Sequence, residues 1–469
     1  MAILGFEIAK SGMNAARNQL NVTAHNLANI GTAGYSRQQA VQVTKPTIHS
    51  LGVTDRLGSG YMGQGTTIET INRTRNNFLD SEYRNYLSIF NYNSYMSQGY
   101  SYIENIINEP SDSALSSNIS TFWNSLSELG SKPTDLSARA AFVQSALSFT
   151  TAINSISDKT QQLKSQYTQE LESIVHKINI ITNELSDLNK EIIDLESIGN
   201  PANDLRDERD LLIDELSKLV DIDTYENGNG AISVLAGGKL LVGENTKRQI
   251  SLTVDENKNS LKVIWSEELD QFEMKGGHLK AALSSINEVI TNFENDLNDM
   301  ITTLANRFNE VHKQGFDLNR DGGLDFFVSS DGEPINIRNL TINKDILNDP
   351  TLLALSKDAD LDGDNSNLND LLAIKDEKIL TPTGNINVNI GEFYNFTIAK
   401  IGLNSKSFQQ AALNTKGTLD EVATQKSSVS GVSMDEETAN LVMFQQAYNA
   451  SAKVLQTVSE MLDTLINII

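Results

Sequence analysis

The sequence predicts a mainly α, multidomain protein with inserted β structure: an elongated helical bundle with paired N- and C-terminal helices and an outer β-containing domain. Three observations carry that reading. Both ends bear the same seam, with apolar or small residues at Phe6, Ala9, Met13, Ala16, Leu20, Thr23, Leu27 and Ile30, and again at Leu441, Phe444, Tyr448, Ser451, Leu455, Val458, Leu462, Leu465 and Ile469. Steps of three and four lay a single stripe along an α-helix that packs lengthwise on another helix. A third such stripe lies inside the chain, at Tyr167, Leu171, Ile174, Ile178, Ile181, Leu185, Leu188, Ile192 and Leu195. Residues 222–272 instead switch to short β patterns.

In chain order, the first seam stops at Asn29-Ile30-Gly31-Thr32-Ala33-Gly34-Tyr35, where Asn and Gly supply helix-stop and turn chemistry. Residues 36–71 alternate loosely (Ala40, Val41, Val43, Ile48, Val53, Ile68, Ile71) and read as extended or irregular structure. A Tyr- and Asn-rich helical stretch runs from about Arg73 to Asn108 and breaks at Glu109-Pro110-Ser111. Another covers roughly 113–130, and Lys132-Pro133-Thr134 opens a long helix near Asp135. The interior seam ends at Gly199-Asn200-Pro201, and a helix from Asn203 to about Val220 completes an αα-hairpin. The β patterns are Ile232–Leu235, Lys239–Val242, Gln249–Val254 and Ser260–Trp265, separated by turns such as Asn227-Gly228-Asn229-Gly230. Gly276-Gly277 returns the chain to a helix reaching about Gln314. Residues 316–400 are Asp/Asn/Gly-rich and partly β, and from about Ser405 the chain is helical to its end. The expected domains are therefore a terminal-helix polymerisation core (1–72 with 428–469), an elongated helical bundle (73–221 with 276–315 and 400–427) and an outer β-rich inserted region (222–275 with 316–399).

A length of 469 residues calls for roughly two to four domains. A formal charge of −24, from 61 acidic and 37 basic residues, argues against partners built on phosphate, whether nucleic acid or anionic membrane. The charge avoids the first seam, where residues 1–30 hold only Glu7, Lys10 and Arg17, so the ends read as buried surface and the middle as solvated surface. The absence of cysteine excludes disulfides and thiolate chemistry. Residues 1–13 carry Glu7 and Lys10 where a signal peptide needs an apolar core, so secretion would use a route without a cleaved signal. No apolar stretch approaches a membrane span.

Few motifs suggest chemistry. Arg206, Asp207, Arg209 and Asp210 set opposite charges three and four apart on one helix, the pattern of a surface salt-bridge ladder. His312 has no second His or Cys near it and reads as part of a helix end before Gly315. Asp317-x-Asn319-x-Asp321-Gly322 and Asp358-x-Asp360-x-Asp362-Gly363 imitate the start of a calcium loop, but position twelve is Val328 and Asn369 where a bidentate Glu is required. They read as Asp/Asn/Gly turns, and no catalytic, cofactor or metal residue is expected. A calcium-binding surface adhesin with coiled-coil ends is the alternative from another functional class.

Residues 25–37, His-Asn-Leu-Ala-Asn-Ile-Gly-Thr-Ala-Gly-Tyr-Ser-Arg, resemble the N-terminal signature of bacterial flagellar axial proteins, matching at Asn26, Ala28, Asn29, Thr32, Gly34 and Tyr35. Gly31 and Ala33 depart from its commonest form, which has Asn and Pro there. Three further blocks are similar to the FlgK family of hook-associated proteins: Asn203–Leu216, Leu304–Asn319 followed by Asp325-Phe326-Phe327, and Asp435–Ala452. Hook or rod proteins, or the second junction protein, are the nearer alternatives; hook and rod proteins would match the first and last blocks only. The resemblance implies a non-enzymatic structural subunit of the extracellular flagellum at the junction between hook and filament. It also implies export through the flagellar type III apparatus, a homo-oligomeric ring in the flagellar axis, hook protein and a second junction protein as neighbours, and an export chaperone on the C-terminal helix.

With Leu441 as position a, positions e and g are Gln445, Ala447, Ala452, Val454, Ser459, Met461, Ile466 and Ile468. A two-stranded coil usually carries charge there. The apolar face is therefore too wide for one partner helix, and the C-terminal helix should be marginal until neighbours cover it. The expected assembly interface comprises Phe6, Met13, Leu20, Asn26, Leu27, Asn29, Gly34, Tyr35, Leu441, Phe444, Tyr448, Leu455, Val458, Leu462 and Leu465.

Overall fold

The computed structural model describes residues 2–45, 63–255, 260–361, 363–382 and 387–468. Helix α1 (Ala2–Ala28) leads through a turn into the antiparallel hairpin β1 (Gln38–Thr44) and β2 (Thr66–Arg73). Helices α2 (Asn77–Ile107), α3 (Leu115–Ser131), α4 (Leu136–Ser197) and α5 (Asn203–Leu219) follow. Strands β3 (Ile222–Glu226), β4 (Ile232–Ala236) and β5 (Lys239–Val242) make one antiparallel sheet, and β6 (Ile250–Asp255) pairs with β7 (Ser260–Trp265). Helix α6 (Gly277–Ser284) passes through a π-helical segment (Ser285–Ile290) into α7 (Thr291–His312). The next segment holds the ladder β8 (Phe327–Ser329) with β9 (Leu340–Ile342) and two short helices, α8 (Lys344–Asn348) and α9 (Ser366–Ala373). Helices α10 (Ile390–Ser430) and α11 (Met434–Ile468) close the chain. The fold is mainly α with inserted β.

Two antiparallel helix pairs follow one another. Helix α1 lies along α11, and α2 lies along α10. Tyr100 reaches Asn404 and Asp80 reaches Lys426, so α2 and α10 run in opposite directions. Helices α4, α5 and α6 and the π-helical segment pack around α2, and α7 packs on α10, to complete the bundle. The interior seam belongs to a single 62-residue helix, α4, about 93 Å long at roughly 1.5 Å per residue. Its stripe from Phe142 to Ile192 is buried.

Helix boundaries differ from expectation in two places, and one is the break at Gly431–Ser433 in a stretch expected to be helical to the chain's end. Helix α10 begins at Ile390, well before Ser405, because Asn389 and Glu392 form a reciprocal capping box and Phe393, Tyr394, Thr397 and Ile401 turn inward behind it. The cap is legible as Asn-x-x-Glu, but the Gly391 between them hides it. The two stretches expected to be β-rich share no sheet. Strand β6 packs on α4, whereas β8 packs on α7 and β9 on α4. Ile48, Val53, Asp362 and the side chain of Leu465 lie outside the described residues.

One end of the bundle is aromatic. Phe122, Phe142, Phe149, Phe308, Phe326 and Phe327 are fully buried together. Asn309 on α7 holds this cluster, accepting from the N–H groups of Phe326 (2.9 Å) and Phe327 (2.8 Å) and donating to the Phe327 carbonyl (2.7 Å). His312, one turn on, is wholly buried: Nδ1 is 2.7 Å from the Leu324 carbonyl and Nε2 accepts from the Ala354 N–H at 3.0 Å. It therefore fastens two loops to the end of α7 and is no ligand. Burial pushes it down to about 4.

Unfolding exposes His312 to water, where it titrates near 6.5. Between pH 6.5 and 4 the unfolded chain binds a proton that the folded chain refuses, so this contribution to stability is full above 6.5 and falls as pH falls through the window. A drop from pH 7 to pH 5 should remove about 2 kcal/mol through this residue. His312→Gln keeps a donor and an acceptor without titrating. Urea midpoints at the two pH values should therefore differ less in that variant, by the same amount.

The two Asp-rich turns come together through a bridge between Phe316 and Ser356, and groups of the turns themselves take up part of their oxygens. Asp317 Oδ1 accepts from the N–H groups of Asn319 and Asp321, both at 2.8 Å. Asp364 accepts from the Ser356 hydroxyl, the Lys357 N–H and the Ser366 hydroxyl. Behind them the buried Arg139 donates to the carbonyls of Pro133, Pro350, Thr351 and Leu353. Burial pushes Arg139 down to about 10. It stays a cation at neutral pH, at the inner wall of these turns. No group of three or more metal-ligating residues is found among the described residues.

Candidate assembly interface

The α1–α11 pair is built on small residues. A methyl group placed on Gly5 would stand 3.7 Å from Val458 Cγ2, and one on Gly12 would stand 3.1 Å from Ser451 Oγ. Ala9, Ala16 and Thr23 are buried along α1. On α1's other flank, Ser11, Ala15 and Val22 are buried where the β1–β2 hairpin packs, and the Ser11 hydroxyl accepts from the Thr66 N–H at 3.1 Å. Helix α1 is thus covered on two sides.

Helix α11 is covered on one. Leu441, Phe444, Tyr448, Ser451, Leu455, Val458 and Leu462 are half-buried, and the positions between them are almost all exposed. Val442, Met443, Val454 and Met461 stand in the open at 47%, 54%, 51% and 58% exposure. On α1 the expected large residues Phe6, Met13, Leu20 and Leu27 are half-buried and sit one position round from the Gly5–Gly12–Asn26 line that α11 approaches. They form a row of their own, seven residues apart. Apolar periodicity finds the large residues, whereas the contact line is set by the glycines that let the backbones approach.

Asn26, Asn29, Gly34 and Tyr35 are brought together at the root of this pair. Asn26 is 1% exposed, and both ends of its amide are in use. Its Oδ1 accepts from the Tyr35 hydroxyl (2.8 Å) and the Gln38 N–H (2.9 Å), and its Nδ2 donates to the Gln38 carbonyl (2.9 Å) and to Glu437 on α11 (3.1 Å). Asn29 closes the helix by donating to the His25 carbonyl at 3.0 Å. Gly34 has φ +81° and lies against α5, where a methyl group would meet Leu211 Cβ at 3.2 Å. Burial, with Asp204, Asp207 and Glu437 nearby, raises the Tyr35 hydroxyl above its ordinary range, so it remains a donor. Asn26 reaches α11 and Gly34 lies against α5, while Asn29 and Tyr35 bond within residues 25–35.

Sequence reasoning missed what lies next to them. Asp207, Asp210 and Asp214, spaced three and four along α5, receive three arginines from elsewhere in the chain. Arg73 bonds Asp207 and Asp210, both at 2.8 Å, and Arg75 bonds Asp210 (3.0 Å) and Asp80 (2.7 Å). Arg84 bonds Asp210 (3.2 Å) and Asp214 (2.6 Å), and Lys426 of α10 closes the network on Asp214 (2.7 Å) and Asp80 (3.2 Å). Burial pushes the Asp210 carboxyl up, but Arg75, Arg73 and Arg84 together hold it far below the usual carboxylate range.

The surface ladder expected within α5 is thus a buried network between elements. Arg206 turns away to Glu196 and Glu226, and the buried Arg209 donates to Asn189 and the Gly230 carbonyl. Helical spacing alone pairs neighbours on one helix; here stronger partners arrive from β2, the 74–76 crossing and α2. The signal available was the cluster Arg73, Arg75 and Arg84 in a strongly acidic chain.

A helical bundle that carries a small-residue helix pair made from both chain ends is the architecture of a structural protein, and the comparisons place that architecture in the bacterial flagellar axis. The model for the helical domain of flagellar hook-associated protein FlgK matches residues 100–327, that for the C-terminal part of flagellar basal body rod proteins matches 424–468, and that for flagella basal body rod protein matches 6–35. Flagellar hook-associated protein 1 of Bacillus subtilis is 29% identical over 99% of this chain and 98% of its own length. The Escherichia coli protein of the same name is 24% identical over 98% of each chain, and that of Salmonella typhimurium is 24% identical over 98% of this chain and 99% of its own. The solved structure of the flagellar hook junction protein FlgK from Burkholderia pseudomallei shares the fold, with a TM-score of 0.63 at 13% identity over 76% of this chain and all of that one. Over its whole length the chain is similar to flagellar hook-associated protein 1, and residues 100–327 match the FlgK helical domain.

Proposed function

We propose that the chain is the non-enzymatic subunit that joins hook to filament, assembling as a ring in the flagellar axis through its terminal helices. The observation that carries this reading is the asymmetric cover of the terminal pair: α1 is flanked twice, α11 once, and apolar Val454 and Met461 face outward at the seam's edge. In this reading the large residues Phe6, Met13, Leu20 and Leu27, with the seam from Leu441 to Leu465, meet helices of neighbouring copies. Asn26, Asn29, Gly34 and Tyr35 serve indirectly, by fixing where the pair leaves the body.

Hook protein on one side and a second junction protein on the other are the neighbours that fit the family. The bundle forms the surrounding wall and the β-containing segments point outward. Export proceeds through the flagellar type III apparatus without a cleaved signal, and a chaperone covers the apolar α11 face before assembly. Similarity to flagellar hook-associated and rod proteins supports the axial location, and the cysteine-free composition suits a chain that crosses from a reducing to an oxidising compartment.

Deletion of the gene tests the assignment. Hooks should remain intact while filament protein appears in the culture medium as soluble subunits. Normal filaments on the deletion strain would overturn it.

A further inference from the structure

The terminal unit, made of α1, the β1–β2 hairpin and α11, is joined to the body by two chain crossings, Thr74–Asn76 between β2 and α2 and Gly431–Ser433 between α10 and α11. Arg37 touches both. Its N–H donates to the Ser430 carbonyl at the end of α10 (2.9 Å), and its carbonyl accepts from the Thr74 N–H (2.8 Å). Its guanidinium reaches past the second crossing to the first turn of α11, with Nε on Glu437 (2.9 Å) and Nη1 on Glu436 (2.9 Å). Glu437 is 1% exposed, and its other oxygen is held by Asn26. One residue therefore binds the end of one long helix, the start of the next and the neighbouring crossing.

The surroundings permit movement about this point. A cavity of about 340 Å³ opens between the 34–36 turn, α5 and the end of α10, lined in part by Gly34, Leu211, Ser427 and Gly431. The terminal unit meets α5 through Arg73 on Asp207 and Asp210, the Ser36 N–H on Asp207 (2.9 Å) and Gln38 on Asp204 (2.8 Å). Gly431 ends α10 where a methyl group would come within 2.4 Å of the Ser427 carbonyl, so the break is built into the backbone.

We propose that the two crossings form a hinge and that Arg37 is its pin, setting the angle between the terminal helix pair and the wall, with the Arg73–Asp207 anchor as pivot. Without the pin the pair swings as a unit into the cavity's space and back. The proposal concerns the single chain and holds whatever the chain assembles with.

Because the chain has no cysteine, paired spin labels can be placed cleanly. Labels on Lys190→Cys of α4 and Lys453→Cys of α11 report the angle, and labels on Lys10→Cys and Lys453→Cys report the pair itself. In the full-length monomer the Lys190–Lys453 distance distribution should be narrow. Arg37→Ala should broaden it at least twofold while the Lys10–Lys453 distribution stays unchanged. Arg37→Lys, which keeps the charge but loses the two-pronged grip, should give intermediate broadening and guards against an unfolded alanine variant. An unchanged Lys190–Lys453 distribution in both variants would overturn the proposal. So would equal broadening of the Lys10–Lys453 distribution, which would make Arg37 a fastener of the pair instead of its angle.

Discussion

Replacing Val454 and Met461 together by glutamate is expected to leave the chain folded and to abolish its incorporation into the flagellar axis. Both side chains are more than half exposed, so the folded chain loses little packing, and its unfolding free energy from urea titration should move by less than about 0.5 kcal/mol. Each would gain roughly 1.5–3 kcal/mol on burial by a neighbour, and a buried unpaired carboxylate opposes association further. The combined loss is a hundredfold or more, on the order of 3 kcal/mol at about 1.4 per tenfold. Immunoblotting purified flagella for the variant checks it; recovery at the wild-type level would mean that this edge of α11 faces no neighbour. Gly12→Leu offers the contrast, because it drives a side chain into Ser451 and should break the α1–α11 pair itself.

Asp210→Ala should produce the largest loss of stability among single changes at the root of the pair, about 3–5 kcal/mol. It strips the shared carboxylate from Arg73, Arg75 and Arg84 and leaves three poorly hydrated cations facing one another. Glu215→Ala, a partly exposed neighbour on the same helix, should stay within about 0.5 kcal/mol. The acid dependence has a definite sign. The Asp210 carboxyl is held below its unfolded value, so its contribution is full above about pH 3.9 and is lost as pH falls below that. Urea titrations of wild type and variant at pH 7 and pH 3 should therefore converge toward the lower pH.

The helices were legible because each carries a continuous stripe. The α4 stripe, the α4–α5 hairpin and the α11 seam follow from spacing alone, and the Asn29–Tyr35 stop follows from turn chemistry. What stayed hidden depends on residues far apart in the chain. Phe326 and Phe327 look like part of a loop until Asn309 draws them under α7. Asp207 and Asp210 look solvated until arginines from positions 73, 75 and 84 arrive. At the candidate interface the sequence marked the large side chains of α1, whereas close helix contact is decided by Gly5 and Gly12, which hydropathy does not register. The π-helical segment at Ser285–Ile290 has no sequence signature at all.

The pairing of α1 with α11 has a further consequence. Gly5 faces Val458, Gly12 faces Ser451 and Asn26 reaches Glu437, so every seven residues forward on α1 match seven backward on α11. A repeat of that kind is its own alias: sliding α11 by one heptad sets small residues against the seam almost as well. Glu437 removes the ambiguity. After such a slip it would lie beside Gln19 or Ala33, with neither Asn26 nor Arg37 in reach. One carboxylate thus works as a vernier mark, fixing the height at which the C-terminal helix stands and hence the level at which its apolar edge is offered to the next copy.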